Sequence, residues 1–177
     1  MYLILLIQGF WNMKKIYLGL GSNLGDRENN IKEALARIKE HIGHTVKFSS
    51  VYETEPWGFN VSENFLNEVI EVETDLNPYA VLGAILKIET LLGRIRSEKQ
   101  YSSRVIDIDI LFYNNQIVNE LHLNIPHPLL HKRMFVLVPL CEIAPELIHP
   151  VLNLSVATLL DSCKDMSLVR LHSHNTS

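Results

Sequence analysis

The segment Arg104-Val105-Ile106-Asp107-Ile108-Asp109-Ile110-Leu111-Phe112 is β-branched, aliphatic or aromatic from Val105 onward except at two positions, and both are aspartate. A run of that composition predicts a buried central strand. Side chains two apart on a strand share a face, so Asp107 and Asp109 stand side by side with backbones roughly 7 Å apart. Two carboxylates on one face of a core strand repel each other and lose hydration, a penalty that a cation between them relieves. Hard divalent ions such as magnesium suit carboxylate oxygens, especially when substrate phosphates complete the shell. An edge strand whose aspartates face water fits the same pattern, and the segment alone leaves that alternative open.

Upstream, Ile16 to Leu20 predicts a first strand, ended by Gly21-Ser22-Asn23-Leu24-Gly25-Asp26. Asp26 is placed to cap a helix whose apolar stripe is Ile31, Ala34, Leu35 and Ile38, running to about Ile42. Gly43 stops that helix, and Val46 to Tyr52 predicts a second strand. A loop with Pro56, Gly58 and Asn60 leads to a third strand from Phe65 to Glu73. Asn77-Pro78 opens a second helix that continues through Val81, Ile85, Ile88 and Leu92 to Gly93. Arg94 to Ser103 is polar, charged and without period, a loop long enough to suggest function. After the aspartate strand, Asn114-Asn115 predicts a hairpin turn into Ile117-Val118. A helix over Lys132 to Cys141, a short one over Val156 to Leu160 and a frayed tail from Ser167 complete the chain. Strand, helix, strand, strand, helix, strand is the order of an α+β, ferredoxin-like βαββαβ core, mainly antiparallel, with C-terminal additions.

The 177 residues fit one domain, expected to span residues 13–166, with 167–177 a flexible tail. A net charge of −4 gives no general electrostatic case for nucleic acid as a partner. Cys141 and Cys163 are too few for a disulfide framework and fit a reducing compartment, so a cytoplasmic protein is expected. Met1 to Ile7 is apolar but too short to span a bilayer, and it lacks the basic lead and cleavage site of a signal peptide. Translation is expected to start at Met13, with residues 1–12 an extension.

Beside the aspartates lies a basic group, Arg94, Arg96, Lys99 and Arg104. Guanidinium forks grip phosphate at two points, and an arginine loop entering an acid-bearing strand is what polyphosphate transfer needs. A solvated loop with weak, exposed ion pairs is the plainer alternative. His127, between Pro126 and Pro128, is held in one direction and suits a phosphate, ribose or metal. Phe65 and Asn67 share a strand face, where an aromatic and an amide can stack on and read a flat heterocycle. Trp57 is a candidate lid aromatic. Glu89, Arg133 and Phe135 carry no signal on their own. The glycine turn at Gly21 lacks the Gly-Lys-Ser/Thr of a P-loop and is read instead as a close backbone approach to a ligand.

Together these segments resemble the 6-hydroxymethyl-7,8-dihydropterin pyrophosphokinase family. The resemblance runs from about Ile16 to Pro150 and rests on Leu20 to Asp26, Ser50-Val51-Tyr52-Glu53-Thr54, Phe65-Leu66-Asn67, Gly93-Arg94-Ile95-Arg96, Arg104 to Leu111, Pro126-His127-Pro128, Arg133 to Leu137 and Pro139 to Pro145. It implies that ATP gives its terminal diphosphate to the hydroxymethyl oxygen of 6-hydroxymethyl-7,8-dihydropterin, releasing AMP, in folate biosynthesis. Asp107 and Asp109 would hold two magnesium ions. Arg94 and Arg104 would stabilise the transferring group. Glu89, Arg96, Ile110, His127 and Arg133 would border the ATP. Gly21, Thr54, Trp57, Phe65, Asn67 and Phe135 would form the pterin site, with the ring between the two phenylalanines. No nucleic acid or membrane partner and a monomeric chain are expected. A metal-dependent phosphohydrolase and a non-catalytic ferredoxin-like module are the competing classes.

Overall fold

The computed structural model describes residues 13–56, 63–94 and 104–173. The expected extension at residues 1–12 lies outside them. The first strand, β1 (Lys14–Ser22), extends beyond the apolar Ile16 to Leu20 at both ends. Helix α1 (Arg27–His41) starts where the Asp26 carboxylate accepts the Asn29 amide at 3.0 Å, and it buries Ile31, Ala34 and Ile38. Gly43 lies so close to the Glu73 carbonyl that an added Cβ would collide with it, so glycine is required at the turn into the next strand.

The single strand expected over Val46 to Tyr52 is two, β2 (His44–Phe48) and β3 (Tyr52–Thr54), both antiparallel to β4 (Phe65–Thr74). The break has a local cause. Ser49 turns its hydroxyl inward to accept the Val69 amide at 3.0 Å, and Glu142 draws the Ser50 amide and hydroxyl outward at 2.9 and 2.8 Å. Helix α2 (Pro78–Leu91), capped by Asn77, leads through residues 95–103 to β5 (Asp107–Tyr113). The sheet order is β5-β1-β4-β3, with β2 also on β4 and every pairing antiparallel. This is the split ferredoxin-like arrangement the element order predicts.

The aspartate strand is an edge strand, not the central one expected. It is nonetheless buried on both faces, and its outer edge is covered where His127 donates its amide to the Leu111 carbonyl at 3.0 Å. The hairpin at Asn114-Asn115 does not form. A type I′ turn needs positive φ at both central residues, and only Asn114, at 45°, has it. Its amide and side chain bind Lys15 of β1 instead, and β6 (Val118–Glu120) pairs with β7 (Leu123–Ile125) as a separate ribbon.

Helix α3 (Met134–Ile143) and α4 (Val156–Asp161) follow, then β8 (Val169–Leu171). The tail is therefore not frayed there. It completes the sheet by pairing with β3, which sets Arg170 opposite Glu53. The sheet separates two cores. Leu18, Leu20, Ile108 and Ile110 pack with α1 and α2, whereas Tyr17, Val69, Leu111 and Phe112 pack with α3 and α4. Among the described residues no helix is long and apolar enough to cross a membrane.

Candidate active site

A cavity of about 350 Å³ opens on the α3 side of the sheet, and its floor is set by strand alternation. β1 presents Gly19 and Gly21 there, directly opposite Asp109 and Asp107 on β5 and Val69 and Asn67 on β4. With no side chain on the middle strand, backbone forms the floor between the acids and the amide. Arg94, Arg104, Asp107, Asp109, His127 and Arg133 line the charged part, and Thr54, Phe65, Asn67, Phe135 and Val136 line the rest.

Asp107 is gripped on both oxygens, by Arg94 at 2.5 Å on Oδ1 and by Arg104 on Oδ2. Arg94 also binds Glu89, whose Oε1 accepts the Ile108 amide at 3.0 Å. The neighbouring carboxylates hold the Arg94 guanidinium above its ordinary range despite burial, so it remains a cation. Burial foremost, then the charge of Asp107, pushes the Asp109 carboxyl up, while Arg133 and Arg104 pull the other way. Burial foremost, with Arg133, pushes His127 down to about 4, so its ring is neutral near pH 7. Its Nδ1 accepts the Leu129 amide at 3.2 Å, which leaves Nε2–H as a donor. Arg133 lies over the Phe135 ring at 5.5 Å and links the charged and aromatic parts.

Asn67 is nearly buried and donates Nδ2 to Thr54 Oγ1 at 2.8 Å, which fixes its amide beside Gly21. Residues that carried no expectation hold the frame. Asn23 Oδ1 accepts the Arg104 amide at 2.6 Å and its own amide donates back at 3.0 Å, while the Ser22 hydroxyl donates to Val105 at 2.5 Å. The only sequence signal for this clamp was the glycine-rich turn that contains both residues. Buried Glu68, also unsignalled, lines the cavity, and burial and Glu142 push it up to about 7.

Most of the expected site residues therefore converge on one cavity. Two do not reach it with their side chains. Ile110 belongs to the core under α1 and α2, and Glu89 is turned toward Arg94 and the β5 backbone. Arg96 and Trp57, with Lys99, fall outside the described residues. Among the described residues no group of three or more His, Cys, Asp or Glu side chains is placed to hold a metal ion. Asp107 and Asp109 still fit a magnesium site in their chemistry: two hard oxygen donors on one cavity face, with ligand phosphates supplying the remaining oxygens.

An acid pair among arginines next to an aromatic–amide recess, on an antiparallel α+β sheet, fits the class of group-transfer enzymes. The sequence pattern of the 7,8-dihydro-6-hydroxymethylpterin-pyrophosphokinase family matches residues 17–145. The chain is 43% identical over 139 residues to a 2-amino-4-hydroxy-6-hydroxymethyldihydropteridine pyrophosphokinase of Aquifex aeolicus, covering 78% of this chain and 86% of that protein. It is 43% identical over 131 residues to the Bacillus subtilis protein of the same name, covering 73% and 78%. Among solved structures, a crystal structure of an HPPK-DHPS in complex with substrates superposes with a TM-score of 0.71 at 17% identity, over 85% of this chain and 43% of that one. A Plasmodium falciparum HPPK-DHPS triple mutant gives 0.69 at 20%, over 84% and 43%. These likenesses show the fold, and the chain spans less than half the length of those solved chains. The chain belongs to the 7,8-dihydro-6-hydroxymethylpterin-pyrophosphokinase family. It is an ATP-dependent pyrophosphokinase, a transferase of folate biosynthesis.

Proposed function

We propose that the cavity binds ATP and 6-hydroxymethyl-7,8-dihydropterin together and moves the terminal diphosphate from one to the other. The observation that carries this is the single floor shared by Asp107, Asp109 and the arginines on one side and Asn67 with Phe65 and Phe135 on the other. Asp107 and Asp109 would hold two magnesium ions, which when bound neutralise and orient the triphosphate. Arg94 and Arg104 bind the transferring diphosphate and stabilise the charge that develops on it. His127 donates Nε2–H to the nucleotide phosphates, and Arg133 adds a fixed cation. The pterin ring stacks between Phe65 and Phe135 while Asn67 reads its amide edge, with Thr54 holding that amide in place. No side chain is assigned as general base, because transfer of this kind proceeds mainly by positioning and charge neutralisation.

Glu89 holds Arg94 and the β5 backbone at the border of the nucleotide site. The proposal takes the chain as a monomer. Cytoplasmic residence agrees with two free cysteines. Phosphorus NMR of protein, ATP and magnesium, with and without the pterin, tests the assignment. AMP that appears only with the pterin is expected. Inorganic phosphate without it would point to a phosphohydrolase, and unchanged ATP to a binding module.

A further inference from the structure

Both oxygens of Asp107 are engaged by the chain's own arginines. Arg94 holds Oδ1 and Arg104 holds Oδ2. These are not loose surface pairs, since the Arg94 and Asp107 side chains are only 18% and 19% exposed. Arg94 is steadied in turn by Glu89, which also fixes the backbone of Ile108, one residue beyond Asp107. Both arginines are anchored by their main chains. The Arg94 amide donates to Glu89 O at 2.9 Å, and Arg104 is clamped through Asn23. Each guanidinium can therefore leave Asp107 by side-chain rotation alone.

Charge balance indicates what would move them. Glu89, Asp107 and Asp109 face Arg94, Arg104 and Arg133, so with all ionised the described cluster is near neutral. A divalent cation arriving alone must displace guanidinium groups from Asp107 and leaves the cluster with excess positive charge. A triphosphate offers those guanidiniums new partners of the kind they bind best. From this we infer that Arg94 and Arg104, steadied by Glu89, form a latch over Asp107 that keeps a divalent cation out until a polyphosphate draws the arginines away. The latch rests on the reading of Asp107 as a cation ligand and adds to it that cation and nucleotide enter as one coupled event.

The test uses Mn2+ alone as the probe, followed by electron paramagnetic resonance and calorimetry on the full chain. The wild type should bind it weakly. Arg94→Gln with Arg104→Gln should bind it about tenfold more tightly or better, and adding Asp107→Ala to that pair should remove the gain. Should the double variant not fold, Arg94→Gln alone frees one oxygen and gives a smaller gain in the same direction. A wild type that binds Mn2+ alone as tightly as the variants overturns the latch and leaves the cation role intact. So does a gain that survives Asp107→Ala. If Asp107→Ala binds Mn2+ with α,β-methylene-ATP as tightly as the wild type does, the cation role fails and the latch with it.

Discussion

Gly21→Ala tests the proposed pterin half of the cavity apart from the proposed nucleotide half with a single methyl group. A Cβ at this position would lie 3.3 Å from Asn67 Oδ1 and 3.8 Å from Phe65 Cδ1. The phenylalanine contact is ordinary, but the amide contact is tight enough to require a shift of a few tenths of an ångström. Asn67 has little room to give, because it is nearly buried and its Nδ2 is bonded to Thr54 Oγ1 at 2.8 Å. The shift therefore comes out of its bond to Thr54 or its bond to the substrate. One neutral hydrogen bond is worth about 0.5–1.5 kcal/mol, which corresponds to roughly a two- to twelvefold rise in KM for the pterin. Stability should change by less than about 1 kcal/mol, since the reduced freedom of the unfolded chain offsets the squeeze. Steady-state kinetics with each substrate varied in turn, together with a thermal melt, provide the assay. KM for ATP should stay within about twofold, as no phosphate-binding group is touched. In an Asn67→Ala background the same methyl should do little, because the contact it strains is gone. An unchanged pterin KM, an equal rise for both substrates, or full additivity with Asn67→Ala would refute the argument.

Asp107→Ala and Asp109→Ala should each lower turnover by orders of magnitude with circular dichroism unchanged, and near-wild-type rates in either would reject the proposed metal role. Arg104→Ala should depress kcat more than it weakens ATP binding measured by calorimetry, since its role is assigned to charge that develops during transfer. Glu68 gives a pH signature. Its carboxyl is raised to about 7 in the folded protein by burial and then by Glu142, so the folded state binds more protons than the unfolded. Its contribution is fully present below the unfolded pKa near 4.5 and is lost as pH rises toward 7. Glu68→Gln should therefore change Tm little at pH 5 and raise it at pH 8, by an amount corresponding to at most about 3 kcal/mol. Equal effects at both pH values in calorimetry would contradict the assignment.

The βαββαβ order was legible because β1, α1, β4 and α2 each carry a clean apolar period and a recognisable start or stop, such as Asp26 or Asn77-Pro78. The acids, the arginines and the Phe65–Asn67 pair were legible because charged and polar groups stand out in apolar strands. Depth in the sheet was not. The composition of β5 reports burial on both faces, which the two cores on either side of the sheet supply to an edge strand as fully as to a central one. The break between β2 and β3 depends on Glu142, some ninety residues away, so no local pattern announces it. β8 was invisible for the same reason, because a three-residue strand exists only by virtue of the free edge of β3. Glu89 carried no local signal because its partners, Arg94 and the β5 backbone, are brought to it only by the fold.

The paired glycines of β1 also bear on inhibition. A compound seated along the trench they leave would rest on main chain at Gly19 and Gly21, with Asp109 and Asp107 on one bank and Val69 and Asn67 on the other. Main-chain contacts cannot be removed by changing a side chain. The direct route to resistance is to add a Cβ, and at position 21 that atom would press on the amide assigned to the natural substrate. Escape and substrate recognition would then compete for the same few tenths of an ångström at position 21, whereas a Cβ at position 19 meets only ordinary contacts with Leu111, so the floor is hardest to mutate away from beside Asn67.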